Sequence, residues 1–469
     1  MLNLKKTALT GILTWAFCVP APLLQAQSLT DGDTANIMAL KKTALQSNLA
    51  YEIDESLTTE VGPRLVGTPG DAQGITWAVA KMKQLGFDKV WTEEVQHVTW
   101  TRGVAEARII APYPQKMVAI ALGGSTGTPA DGLKAEVVEF KDFAALEAAP
   151  EGSLEGKIAY VSFRMERKIN GAGYGPAVKA RGAGPSMAAS KGAVAYVMRS
   201  VGTDNNRLGH TGGTNYKDGI TRIPAAALSN PDADLLSRAI SRGKPVEIFL
   251  KLTAERKDDV PVITANVIGE ITGSEKPEEI VVMAAHLDSW DVGTGAVDDG
   301  IGVSVTLAAA HHIANLPERP KRTIRVILFA AEEVGLVGVK HYMKDHENEI
   351  AQHVIGAEWD FGVGLIYEMV PGVGPAALNQ IRELAHLLAP LGVSLSPKND
   401  AKGQSDLSLL GKAGMPAVNF SPDGMKYFDY HHTDNDTLDK VDPEALKQNT
   451  AVFTIFSYFA AQSGIDFRK

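Results

Sequence analysis

Cysteine is nearly absent: the only one in 469 residues is Cys18, near the amino terminus. Without the first 26 positions the chain has no thiol, so neither a disulfide framework nor a cysteine-based zinc site is available. Any metal must be held by imidazole and carboxylate groups. Long basic runs are also missing. Lys and Arg are interspersed with Asp and Glu, the formal net charge is −9, and this balance argues against a nucleic-acid partner. Beyond the amino terminus no apolar stretch reaches the ~20 residues that cross a bilayer. Internal repeats and low-complexity tracts are lacking too.

What the amino terminus does have is a targeting pattern. Lys5 and Lys6 precede an apolar run over 8–24, which Pro20 and Pro22 interrupt. Gln25-Ala26-Gln27 offers a cut after Ala26, so 1–26 is expected to be a signal peptide. Trp15-Ala16-Phe17 lacks the small residues that precede a lipidated cysteine. The expected product is exported, periplasmic or secreted, with no stable membrane insertion after cleavage.

A chain of this length suggests two domains, one inserted in the other. The segment 27–130 reads as the first part of one domain, with helices over 36–49 and 73–85 and strands over 90–98, 107–110 and 117–122. Short strands over 135–138, 157–163, 194–198 and 246–252, with two short helical stretches, mark 131–254 as a β-rich insert. From 255 to 469 the first domain resumes. There the pattern is β/α alternation: strands over 279–285, 323–330, 354–358 and 417–420, helices over 300–314, 335–345 and 376–388. A last helix opens at Asp442-Pro443, a capping residue followed by proline in the first turn, and runs to 462. Unbroken apolar strands such as 324–329 suit a sheet covered on both faces. The fold class expected is α/β, with a mostly parallel, mixed sheet and helices on both faces.

Acidic and imidazole groups recur where those strands end. His286 and Asp288 follow the first strand, Asp298 and Asp299 lie in a glycine-flanked loop, and Glu332 and Glu333 follow the next strand. Asp360 follows 354–358, and His431 and His432 precede the last helix. Open parallel sheets bind ligands outside the carboxyl ends of their strands. Zinc takes imidazole nitrogen and carboxylate oxygen, and a hydrolytic site keeps one position for water. Five such donors, one of them shared, supply three to each of two ions. Adjacent glutamates in extended chain point opposite ways, so one can bind metal while the other moves a proton.

His286-Leu287-Asp288-Ser289, Asp298-Asp299-Gly300, Glu332-Glu333, and His432-Thr433 with Asp436-Thr437 resemble the motifs of the co-catalytic zinc aminopeptidase and glutamate carboxypeptidase superfamily. Longer strings are similar to its plasma glutamate carboxypeptidase branch: 286–293, Arg319-Pro320-Lys321-Arg322-Thr323, Lys426-Tyr427-Phe428, His210-Thr211-Gly212 and Ile223-Pro224. The insert resembles a protease-associated domain. The resemblance implies a zinc exopeptidase fold, two Zn2+ per chain, and hydrolysis of dipeptides or other short peptides. It implies His286 and Asp360 on one ion, Asp298 bridging, and Glu333 and His432 on the other, with His431 as the alternative to His432. Glu332 matches the general base. Asp288 would hold the His286 ring by its other nitrogen, and Asp299 would fix the bridging turn. His210, in a polar loop, is a candidate substrate contact, and Tyr427 and Phe428 are candidates for a side-chain pocket. A homodimer is implied by the family alone. Where the superfamily has Ser-Asp-His, this chain has Ser405-Asp406-Leu407, a change that bears on pocket shape. A one-metal glutaminyl cyclase and a non-catalytic receptor-like protein share the scaffold, and the complete donor set disfavours both.

Overall fold

The computed structural model describes residues 29–362 and 364–469. The expected signal segment, with Cys18, lies outside them. Among the described residues no helix is long and apolar enough to cross a membrane.

Two eight-stranded sheets organise the chain. In the first, the strands Arg322–Phe329, Lys276–His286, His353–Glu358 and Ala417–Pro422 lie side by side and parallel. Lys89–Thr101, Glu255–Ile271 and Ile366–Gly372 flank this centre in antiparallel pairings. The sheet is thus mixed, with a parallel middle. Four strands running one way bring the ends of four distant segments to one rim.

The central strands are buried on both faces because alternate residues enter different apolar clusters. Val281, Met283 and Ala285 pack into the cluster that includes Ile301–Ala314 and Pro443–Gln462. Val282 and Ala284 join Val339, Tyr342, Leu407 and Met415 on the opposite side. Helix therefore covers each face, and an unbroken apolar run is what that burial requires.

The last helix spans Pro443–Gln462, capped by Asp442 as its sequence signals. The first begins earlier than expected, at Asp31, because Thr30 and Asp33 form a reciprocal capping box. A further helix, Leu49–Glu60, was not anticipated.

The second sheet departs from expectation in two ways. Its strands begin at Ala105–Ala111, which pairs with Glu247–Leu252, so residues 105–121 join this sheet ahead of the boundary expected at 131. It is also less purely β than its sequence suggests. Leu133–Phe140, Ile158–Val161, Ala195–Arg199 and Ala225–Leu228 are parallel, with helices Tyr174–Ser190 and Asn230–Ile240 packed beside them. Gly182, Gly184 and Pro185 weaken the helical signal of the first, yet the helix continues through Pro185.

Candidate metal centre

His286 ends its strand with the side chain 1% exposed. Its Nδ1–H donates to the carbonyl oxygen of Asp288 at 2.9 Å. That contact leaves Nε2 facing Asp298 Oδ1 at 3.2 Å and Asp360 Oδ1 at 3.6 Å. Asp299 turns the other way and accepts from the backbone N–H of His286 and of Gly302. Two further groups hold the loop that carries Asp298. Asp436 accepts from the Val297 amide at 2.6 Å, and the fully buried Arg64 donates to the carbonyls of Leu287, Thr294 and Gly295.

On the neighbouring strand end, Ala331 adopts φ 55° and turns the chain. The amides of Glu332 and Glu333 donate to Asp288 Oδ1 and Oδ2 at 3.0 and 3.3 Å. Asp288 thus clamps the two glutamates, and its carboxylate stands 3.8 Å from His286 Nδ1. The role expected for that carboxylate, holding the imidazole, falls to the Asp288 backbone carbonyl instead, because the amides of the glutamate turn occupy the side chain.

Glu333 Oε2 lies 3.0 Å from His432 Nε2, which is 3.3 Å from Asp298 Oδ2. Asp298 therefore addresses His286 with one oxygen and His432 with the other. His431 stacks on His432 with ring centroids 3.5 Å apart, and its Nε2 is 3.6 Å from Asp298 Oδ2. Proximity to Asp298 does not separate the two histidines. The partners of the other nitrogen do: His432 Nδ1 lies 3.2 Å from the Thr211 carbonyl, which accepts, and 3.2 Å from Arg181 Nη1, which donates, whereas His431 Nδ1 has no hydrogen-bond partner among the described residues. A metal on Nε2 requires Nδ1 to carry the proton, and the Thr211 carbonyl is the acceptor that tautomer uses.

The charge distribution is that of a site short of cations. Burial raises the Asp298 carboxyl, but the His286 and His432 imidazoles beside it outweigh that and hold the group well below its usual range. Burial lowers both imidazoles, yet the surrounding carboxylates pull His286 well above its ordinary value and His432 up to about 9. Burial, with Asp360 and Glu333 adding repulsion, pushes Glu332 up to about 8. Asp298 Oδ2 and Glu333 Oε1 are buried without hydrogen-bond partners. The donors fall into three sets whose atoms lie within 4.8 Å of one another: His286, Asp298 and Glu333; His286, Asp299 and Asp360; Asp298, His431 and His432. Orphaned oxygens and imidazoles that collect protons are what a divalent cation would satisfy, so the residues fit a metal.

One consequence is measurable. A proton and a metal compete for Nε2 of His432, so apparent zinc affinity is expected to rise from pH 6 to pH 8. The slope is about tenfold per pH unit for each proton displaced. Competition titrations that return the same affinity at both ends would contradict it.

Residues 266–456 match the description Peptidase family M28. Carboxypeptidase Q of Rattus norvegicus is 36% identical over 414 residues, covering 88% of this chain and 85% of that protein. The chain belongs to peptidase family M28. It is a metallopeptidase. A solved structure of a Peptidase M28 precursor from Shewanella amazonensis SB2B superposes with a TM-score of 0.91 at 48% identity, covering 93% of this chain and 99% of that one. A zinc aminopeptidase from Bacillus subtilis gives a TM-score of 0.62 at 23% identity, with 90% and 97% covered, and shares the fold.

The three candidates for substrate contact or a side-chain pocket are buried. His210 is 0% exposed and both its ring nitrogens are occupied. Tyr427 and Phe428 are buried and pack with Phe361 and Tyr174 behind His431. Short-range order hides this, because the covering groups Tyr174 and Phe361 come from distant segments of the chain. Three contributors were not singled out from sequence. Ser405 donates to Glu332 Oε1, and Arg181 and Tyr174 bond each other at 2.7 Å beside His432. The signal for Ser405 was the altered string itself: Leu407 is fully buried in the core, and the Glu358 carboxylate accepts its amide at 2.9 Å.

Proposed function

We propose that this chain is an exported di-zinc exopeptidase that cleaves the terminal bond of dipeptides or other short peptides. The observation carrying this reading is Asp298, one carboxylate turned to two imidazoles that belong to two separate donor groups. His286, Asp298 and Asp360 would hold one ion, and Asp298, Glu333 and His432 the other. When bound, zinc supplies Lewis acidity, polarising the scissile carbonyl and acidifying water.

The chain's own groups do the rest. Glu332 takes a proton from the attacking water as its oxygen adds to the carbonyl carbon. It returns that proton to the amine nitrogen as the carbon–nitrogen bond breaks. The Ser405 hydroxyl, donating to Oε1, fixes the carboxylate so that the other oxygen handles the proton. Asp288 sets the turn that separates the base from the ligand. The amino-terminal basic and apolar pattern supports export.

The test combines zinc content by mass spectrometry with a dipeptide panel assayed with and without chelator. Two zinc ions per chain are expected, with hydrolysis lost on chelation, restored by zinc, and absent for peptides blocked at both ends. One ion with glutaminyl cyclisation, or none with no turnover, would overturn the reading.

A further inference from the structure

We infer that His210 and Thr211, carried between two strands of the second sheet, are positioning residues that hold His432 in its ligating pose. The inference rests on the reading of His432 as a metal ligand. The two segments are joined by one backbone and two imidazole-to-carbonyl contacts. His210 Nδ1 meets the carbonyl of His431 at 2.8 Å, the Thr211 amide donates to the carbonyl of His432 at 3.0 Å, and His432 Nδ1 meets the carbonyl of Thr211 at 3.2 Å. Carbonyl groups on both sides of the His431–His432 bond are thereby gripped by one dipeptide from the other sheet. Among the described residues no group of the first sheet's other segments bonds these carbonyls.

The grip is needed because His432 has φ 62°. A non-glycine residue in the left-handed region is strained and persists where its surroundings over-determine it. The surroundings here are built for that purpose. Asp204 Oδ1 lies 2.8 Å from His210 Nε2, and Ser200 Oγ accepts from the His210 amide at 2.9 Å. Both ring nitrogens of His210 face oxygens, so the ring cannot flip without losing a bond. Two glycines make the fit possible. A Cβ at Gly202 would stand 2.2 Å from His210 Cε1, and one at Gly212 would stand 2.3 Å from the Arg181 guanidinium carbon. Arg181 in turn donates to the Thr211 carbonyl at 3.3 Å, keeping that acceptor aimed at the imidazole. The same segment is tied down again one turn earlier, where the Thr203 amide donates to the Phe428 carbonyl and Arg167 pairs with Asp429. The second sheet thus acts as part of the metal centre's scaffold. It holds His432, whereas Glu333, His286 and Asp360 stand on segments of the first sheet.

The experiment is a zinc titration of full-length protein against a competing chelator, comparing wild type with His210→Ala, His210→Asn and His210→Gln. Removing a group that orients a ligand costs about 10–100-fold in metal affinity. His210→Ala is expected to weaken one of the two ions by that factor and leave the other unchanged. The amide nitrogen of Asn falls near Nδ1 of histidine and can donate to the His431 carbonyl, so His210→Asn is expected to recover wild-type affinity to within about threefold. The amide of Gln falls near Nε2, reaches Asp204 instead, and is expected to behave like Ala. Should His210→Ala fail to fold, the contrast between Asn and Gln decides. Equal affinities for Asn and Gln, or wild-type affinity in the Ala variant, would overturn the inference. If wild type itself takes up fewer than two ions, the ligand reading falls first and this one with it.

Discussion

Glu332→Gln protein is expected to keep its metal content and lose turnover by about 10²–10⁴-fold, the range a positioned acid–base group supplies. The exchange preserves size, and the carboxamide oxygen still accepts from Ser405. What it removes is the ability to take up and return a proton. The loss should therefore fall on kcat with KM nearly unchanged, the pattern of a group that acts only in the transition state. Steady-state kinetics on a dipeptide, with zinc measured on the same preparation, checks both halves. Turnover within tenfold of wild type would remove Glu332 from the mechanism. Glu333→Gln serves as the contrast, since Glu333 lies 3.0 Å from His432 Nε2 and would be a ligand. Loss of metal in the first variant and of turnover alone in the second would reverse the two roles.

Asp298→Ala should damage the protein more deeply, since this side chain faces both halves of the centre. It lies 3.2 Å from His286 on one oxygen and 3.3 Å from His432 on the other. Its removal takes a donor from each ion and the negative charge that lets two cations sit together. Bound zinc is expected to fall from two ions to one or none at equimolar supply, and hydrolysis to fall below detection. Native mass spectrometry reads the stoichiometry without needing activity. Two tightly held ions in this variant would sink the bridging assignment, whatever the turnover. Among the described residues Asp298 is the carboxylate that reaches an imidazole with each of its oxygens, and this symmetry makes its expected effect the largest in the molecule.

Much of the first sheet could be read in advance because burial on both faces demands an unbroken apolar run. The strands Lys276–His286 and Arg322–Phe329 meet that demand. The final helix was legible from its cap, and the clustered acids and histidines from their recurrence at strand ends. Other features left weaker traces. Ile366–Gly372 has a half-buried strand's broken pattern, and it pairs with Ala417–Pro422 across some fifty positions of sequence. The helix Tyr174–Ser190 is rich in glycine and holds a proline, so local propensity argued against it. Packing against Ala195–Arg199 overrides that preference.

By itself the sequence determined which donor types exist, that they are imidazole nitrogen and carboxylate oxygen with no cysteine thiol among the described residues, and at which strand ends they stand. Those facts follow from composition and from the periodicity that burial imposes on each strand. Only the tertiary structure decided how the donors are held. Asp288 turns its carboxylate to two amides, His432 leans on a carbonyl from the other sheet, and His210 is fully buried with both ring nitrogens against oxygens. The deciding contacts join residues as far apart as 221 positions. A hydrogen bond depends on where two atoms meet in space, and no local pattern in a chain records that.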